Sequence, residues 1–593
     1  MSIFTFLVLC IFSVFAQNFD RHSKLDDNYE IWWSTDEESI TFQVEVATRG
    51  WVGLGISPNG GMEGSDVVIG WINNGKATFH VRFWKKLTFT DCRWLLQDRY
   101  AKGKFLPEID DHQDWELLWY QKTDTHTKFR FKRFLIPCDS QDLHITDETT
   151  RLIFAYNDEN PGSTGEISYH GPKNRGTKSV TLKKYERGVL LENPSDLYHW
   201  EVTHSNVRIP DNSDTEYYCK FFRVPELSRK HHIVKVDTVI EPGNEKLVHH
   251  MILYECTNVE TEKIAPYLNE EYTECYTKDN LPKFPFCFTV TYGWAIGGDS
   301  FIFPDQAGLP LGIPEVKWLL LETHYDNPSL KRGIVDNSGF RITYTPKLRK
   351  HDAAVLSFGN LWYPCVFIPP KQKEYIVAGH AHPSCLRQRL PPEGIKMYAF
   401  LLHSHTIGKK LMVRHFRNGE ELLPLARDLN YDFDFQQFKY LPEERTVLPS
   451  DHLVVECAYD SSTRAKVTFG GLSTKQEMCL AFFGYYPRLN ISYLTSCPSP
   501  YNIVTKLGVK EMSDDDRFVI SPLTGKNQSY YEFLNTYPWD YQSVNSVQNA
   551  MRYGPQINIC ADRGGKGILT FVLSKYPKVK KIHEEKYKCR SNK

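Results

Sequence analysis

The chain has 593 residues, 41% hydrophobic and 14% aromatic, with 71 Lys and Arg against 72 Asp and Glu for a formal net charge of -1. That length exceeds what one hydrophobic core organises, so several domains are expected, and the composition excludes a disordered chain. The charge balance gives no footing for a nucleic-acid partner.

At the amino end, residues 2–16 read SIFTFLVLCIFSVFA, an apolar run too short for a bilayer that closes on the small residues Val14 and Ala16. A cleaved signal peptide over 1–16 is the expectation, with a retained anchor as the alternative because no Lys or Arg precedes the run. The remaining chain is then expected in the secretory pathway, secreted or lumenal in endoplasmic reticulum or vesicle. No transmembrane span is expected in it, since the Lys-rich stretch from Tyr576 to Lys593 holds no apolar run.

Of the 14 cysteines, Cys10 leaves with that peptide. The odd number left contains no CxxC pair, which in an exported chain points to disulfides rather than structural zinc. Asn490-Ile-Ser and Asn527-Gln-Ser are glycosylation sequons that agree with export.

Along the chain, Ile40 to Thr48, Ile233 to Ile240 and Lys466 to Leu472 alternate with the two-residue period of half-buried strands. Long amphipathic helical patterns are scarce, so the fold class is mainly β, packed as sandwiches or jelly rolls. Linkers are expected at Glu192 to Asp196 and at the charged Lys347 to Ala354.

The chemistry concentrates on histidines. In LLHSHTIGKK, His403 and His405 stand two apart within a strand pattern, which places both imidazoles on one face where they can grip a metal. His249 and His250, in VHHMILYEC, are adjacent, so a regular strand sends them to opposite faces; they reach one metal only at a strand end or twist. The equally adjacent His231 and His232 are read as structural, buried or hydrogen-bonded. Met478, in EMCLAFF, fits an ordinary core position when taken alone.

The order of these strings, with LETHYDNP around His324, GWAIGG from Gly293, VDNSG from Val335, YDFDFQQFKYL from Tyr431 and GGLSTKQEMCL from Gly470, resembles the type II copper, ascorbate-dependent monooxygenases. The subgroup it most resembles is the one similar to dopamine β-monooxygenase. The segment Gly50 to Ile72 resembles the signature of DOMON domains, which precede the catalytic core in that subgroup. The resemblance implies a DOMON β-sandwich at 17–185, a copper domain at 200–350, a second at 354–510 and a small C-terminal extension at 511–593.

It also implies two copper ions per subunit, one on His249, His250 and His324, the other on His403, His405 and Met478. The thioether suits Cu(I), and zinc seldom recruits methionine. The implied reaction hydroxylates a C–H bond of a small aromatic or hydrophobic substrate with O2, ascorbate reducing both coppers across turnovers and a solvent-filled gap separating the sites. Tyr217 and His403 are the implied catalytic residues.

Leu401 stands where the peptidylglycine member of the family has a carboxylate-binding Arg, and Ser357 where the dopamine enzyme has an acidic residue. The implied disulfides are Cys138–Cys589, Cys219–Cys275, Cys256–Cys287, Cys385–Cys560 and Cys457–Cys479. Cys365 and Cys497 are candidates to replace one missing bridge, which leaves Cys92 odd. Met62 and His170 occupy places like those of haem ligands in some DOMON domains, with loop packing as the favoured reading. A secreted copper- or ligand-binding protein without productive hydroxylation is the alternative function, and assembly into a homo-oligomer stays open.

Overall fold

The structure is a computed structural model that describes residues 19–73, 76–78, 97–110, 112–161, 166–185, 190, 192–257, 259–277, 282–314, 316–360, 365–513, 518–564 and 567–583. The expected signal peptide, Cys10, Cys92 and Cys589 lie outside the described residues. Strands dominate, and the longest helix among the described residues is Tyr541–Tyr553, with 13 residues. The chain divides into two compact units, the smaller built mainly from residues up to 183 and the larger from residue 184 onward.

The smaller unit is a sandwich. One sheet runs Arg21–Asp26, Tyr29–Thr35, Ser39–Val46, Thr127–Phe134 and Glu116–Lys122; the other is built around Thr150–Tyr156, Val52–Ser57 and Ser65–Asn73. The alternation expected at Ile40 to Thr48 appears in Ser39–Val46, whose inward Ile40, Phe42, Val44 and Val46 are all buried. Aromatic side chains fill the space between the sheets, and the cavity bounded by Tyr29, Val44, Leu54, Val68 and Phe131 holds about 10 Å³, room for one water molecule.

The larger unit holds two further sandwich halves. In the first, a sheet centred on Gly339–Thr345 and His231–Val239 faces a five-stranded sheet ordered Thr273–Glu274, Thr215–Arg223, Val316–Asp326, Val248–Thr257, Cys287–Ala295. In the second, a seven-stranded sheet runs Lys439–Val447, Ile395–His403, Leu480–Tyr486, Ala354–Asn360, Tyr493–Pro498, Gln556–Ala561, Gly567–Ser574. It faces a four-stranded sheet ordered Tyr375–Ala381, His452–Tyr459, Gly408–Arg417, Glu420–Asp428. The stretch expected as an extension after 510 thus contributes two strands to the seven-stranded sheet. The strand expected at Lys466 to Leu472 shrinks to Thr468–Phe469, and the residues after it form the turns that lead to Met478.

The segment that joins the halves is packed onto the first of them rather than loosely tethered. Arg349, in the stretch expected as a linker, buries its side chain, pairs with Glu192 at 2.8 Å and donates to the carbonyls of Phe303 and Pro304. Its amide donates to His232 Nδ1 at 3.0 Å while His232 Nε2 meets Asp352 at 2.9 Å, a structural role for that histidine. Charge in this segment marks an ion-paired seam, which a composition-based linker reading cannot distinguish from a solvated one.

A second staple is Glu255, on the strand that carries His249 and His250. It is buried and binds Arg488 at 2.7 Å and Arg563 at 2.5 Å, both from the second half. Burial pushes its carboxyl up, but the Arg563 and Arg488 guanidiniums more than reverse this and hold it at about 2. Glu255→Gln strands two guanidiniums in the interior and is expected to cost about 3–5 kcal/mol in urea unfolding at neutral pH. Because the folded pKa lies below the unfolded value, the wild-type advantage is full above the ordinary glutamate range and shrinks as pH falls toward about 2; a difference between wild type and variant that does not narrow with acid contradicts this.

Candidate metal centre

The first donor set sits on the five-stranded sheet. The register between Val248–Thr257 and Val316–Asp326 slips between Val248 and His250, so that Val248 opposes Tyr325 and His250 opposes His324. That bulge turns the adjacent imidazoles toward one side, which a regular strand does not allow. His249 Nδ1 lies 3.3 Å from His250 Nδ1, and one nitrogen from each of His249, His250 and His324 lies within 4.8 Å of the others.

Thr215 Oγ1 bonds His324 Nε2 at 2.8 Å, leaving the buried His324 Nδ1 without a partner among the described residues. A buried nitrogen without a partner is costly, and a metal removes the cost. Burial depresses all three rings, His249 to about 3, so they stay neutral and able to ligate.

The second set is anchored by Glu477. The strand Ile395–His403 ends at His403, so His405 occupies the following loop rather than the strand expected from alternation. The loop is fixed because the buried Glu477 carboxylate accepts from Ser404 Oγ, the amides of His405 and Ile407 at 2.8 Å each, and the Met478 amide at 3.3 Å. Burial pushes this carboxyl up to about 7, and its donors pull against that. Tyr459 donates to the Met478 carbonyl at 2.7 Å, and the Cys457–Cys479 bridge follows immediately.

His403 Nδ1 bonds Gln436 Oε1 at 2.8 Å and His405 Nδ1 bonds the Gln476 carbonyl at 3.0 Å. With both Nδ1 protons donated, both Nε2 lone pairs are available to a metal.

The two sets approach closely: the rings of His250 and His403 are 6.2 Å apart, and Phe433 stacks on His249 at 4.2 Å while meeting His405 edge-on at 6.0 Å. The solvent-filled gap implied by the resemblance is therefore absent from this arrangement. A chain of hydrogen bonds links the sets, from the His249 carbonyl to the Ile296 amide, from the Ile296 carbonyl to the Gln436 amide, and through the Gln436 side chain to His403. Gly297 permits the docking, with φ 90° and the Phe435 ring where a β-carbon would stand, 2.4 Å away.

Tyr217 opposes His324 across the sheet, stacks on it at 4.3 Å and donates its hydroxyl to the Leu472 carbonyl at 2.8 Å. Burial raises its pKa far above the ordinary tyrosine value. In this arrangement the Tyr217 hydroxyl proton is given to Leu472 and its ring backs His324. Gln436, Phe433 and Glu477 carried no sequence signal of a role beyond lying in YDFDFQQFKYL and TKQEM.

Among the remaining candidates, Cys219–Cys275, Cys256–Cys287, Cys385–Cys560, Cys457–Cys479 and Cys365–Cys497 are bridged. Cys138 is also in a disulfide, its expected partner Cys589 lying outside the described residues. Asn490 and Asn527 are exposed. His170 bonds the Gly171 carbonyl at 2.6 Å and packs near Trp51 and Tyr169, while Met62 is half-buried in its loop.

The family described as "Copper type II ascorbate-dependent monooxygenase" matches with its N-terminal domain at residues 200–332 and its C-terminal domain at 351–506, and a DOMON domain matches 25–157. DBH-like monooxygenase protein 1 is 39% identical in Gallus gallus, covering 86% of this chain and 80% of that protein, and 39% identical in Homo sapiens, covering 88% and 83%. Dopamine beta-hydroxylase of Canis lupus familiaris is 32% identical over 79% of this chain and 72% of its own. The chain that brings these two histidine groups together belongs to the copper type II ascorbate-dependent monooxygenases, oxidoreductases whose two copper domains here follow a DOMON domain.

Proposed function

We propose that the protein hydroxylates a C–H bond of a small, neutral aromatic or hydrophobic substrate within the secretory pathway. In this reading one copper is held by His249, His250 and His324 and a second by His403, His405 and Met478. Copper at these positions supplies one-electron chemistry and O2 activation, with ascorbate as the reductant. The observation that carries the reading is the convergence of the two histidine groups, His250 and His403 lying 6.2 Å apart, with neutral rings and an orphaned His324 nitrogen.

The protein's own contribution is positional. Gln436 and the Gln476 carbonyl fix the tautomers of His403 and His405, Glu477 holds the loop that presents His405 and Met478, and Tyr217 and Phe433 brace His324 and His249. The substrate preference follows from the row of residues on the His403 face of the seven-stranded sheet. Leu401 opposes Phe482, which opposes Ser357, which lies beside Tyr493. None carries charge, so neither a carboxylate nor an ammonium finds a buried counter-ion in this row.

Copper content, ascorbate-dependent O2 uptake and product should be measured together on the purified protein. Two coppers per chain with product-coupled uptake, reduced at least ~100-fold in Met478→Ala, is the expected outcome. Two coppers without product from any compound favours the copper-carrying alternative, and no copper refutes the reading.

Across a substrate panel, kcat/KM for neutral aromatics is expected to exceed that for phenethylamines by ~10-fold or more; the reverse order rejects the substrate class. Glu477→Gln replaces one acceptor oxygen with a donor among four donors. It is expected to lower Cu–S scattering in X-ray absorption spectra while sparing the three-histidine set, and unchanged sulfur scattering argues against its positioning role.

A further inference from the structure

The hairpin formed by Phe518–Ile520 and Asn527–Ser529, in the larger unit, breaks the usual rule for an antiparallel ribbon with one wet face. Its inner side is regular: Val519 is buried in the core of the second half, and Met512 bridges to it and packs on the same core. Its outer side carries Phe518 and Ile520, 45% and 44% exposed, where polar residues are expected, and the turn between the strands adds Leu523 at 58%. Apolar residues exposed singly need no explanation. Three within six residues of chain form a patch, and an apolar ribbon face in water invites wrong pairing.

The register shows what shares this side. Ile520 stands opposite Asn527 and Phe518 opposite Ser529. Residues opposed across an antiparallel pair project to the same side, with β-carbons about 4.5–5.5 Å apart. Asn527, Gln528 and Ser529 are the second sequon of the sequence, so its asparagine belongs to the apolar face itself. Asn527 is exposed and its side-chain amide is bonded to nothing among the described residues, so a substituent on that nitrogen displaces no contact of the fold.

A pyranose ring supplies the complement to such a face. Its C–H bonds make one side apolar, while its hydroxyls stay in water. Tethered through Asn527, the first sugar is held at high local concentration within reach of Ile520 and, one same-face pair along, the Phe518 ring.

We propose that Asn527 carries an N-linked glycan whose first sugars lie over Ile520 and Phe518, and that this glycan is what covers the apolar side of the hairpin. In its formation the Asn527 amide nitrogen bonds to the anomeric carbon of N-acetylglucosamine, the amide loses one proton, and the lipid pyrophosphate of the donor oligosaccharide leaves. The proposal rests on the secretory placement given above and not on the copper centre. Asn490, the other sequon, lies elsewhere in the fold, its side-chain oxygen accepting from the Arg563 amide at 3.1 Å, and serves as an internal control.

The test uses the full chain secreted from eukaryotic cells as wild type, Asn527→Gln, Phe518→Thr/Ile520→Thr, and all three substitutions together. Asn527 is substituted rather than Ser529 because Ser529 also caps the helix Tyr530–Thr536. Occupancy is read by peptide mass spectrometry, hairpin protection by hydrogen exchange, and exposed apolar surface by binding of a hydrophobic dye. The expected result is an occupied Asn527, with exchange across residues 518–529 at least ~threefold faster, and dye binding higher, in Asn527→Gln than in wild type. In the Phe518→Thr/Ile520→Thr background, loss of the glycan changes neither. Should Asn527→Gln not be secreted, enzymatic removal of the glycan from folded wild type gives the same comparison.

A bare Asn527 in the secreted protein overturns the proposal, whereas a chain that never enters the pathway, with Asn490 bare as well, overturns the secretory reading and the proposal together. An equal effect of glycan loss in both backgrounds shows that the sugars do not lie on this face. A wild-type dimer abolished by Phe518→Thr/Ile520→Thr gives the face to a second copy of the chain. Either of these results overturns the proposal. Copper content enters none of the outcomes, so the copper reading stands or falls separately.

Discussion

Adjacent imidazoles cannot serve one site on a regular strand, because successive side chains leave opposite faces of the sheet. The slip in register between Val248 and His250 removes that obstacle, and much of the centre is arranged around it. Once both rings turn to one side, His324 meets them from the next strand, Tyr217 stacks behind His324, and Phe433 covers His249 from the other half. The strand that bulges is also the one that carries Glu255, whose ion pairs tie it to Arg488 and Arg563. A local irregularity is thereby held on both sides by buried contacts, as its cost requires.

The second donor set solves a different problem. His405 and Met478 come from loops, where side-chain positions are poorly defined unless the backbone is fixed. One carboxylate, Glu477, collects donors from both loops, so the two candidate ligand positions share an anchor instead of each needing its own. Gln436 then connects this half to the other, through the Ile296 peptide to the main chain of His249. Close approach of the two sets rests on backbone geometry at Gly297 as much as on side-chain packing.

Periodicity exposed much of the fold. Ser39–Val46 alternates from Phe42 onward because it buries one face against a single core, and His231–Val239 does so only after Val234, past a slip in its register. Periodicity failed where the determining forces were not periodic. Arg349 looks like linker charge until its partners Glu192 and His232 are known, and these lie more than a hundred residues away in sequence. His405 fits a strand pattern, yet the strand stops at His403 because Glu477 captures the next amides. The H-x-H spacing and the ordered motifs identified the donor residues as candidates, whereas the residues that orient them, Gln436, Phe433 and Glu477, have types and spacings common in any β protein. The His249–His250 and His231–His232 pairs look alike in sequence, and only the bulge beside one and the Asp352 contact of the other separate them.

The last strands of the second half have a consequence for biosynthesis. Gln556–Ala561 pairs with Tyr493–Pro498 and is itself flanked by Gly567–Ser574, while Cys560 is bridged to Cys385 across a separation of 175 residues. A ribosome must therefore extrude the chain through Ser574 before this sheet acquires its outer strands, and until then the edge at Tyr493–Pro498 is open to wrong pairing. The methionine-containing half therefore matures only once residues as late as Cys560 and Ser574 have emerged, and its closing step includes formation of a disulfide.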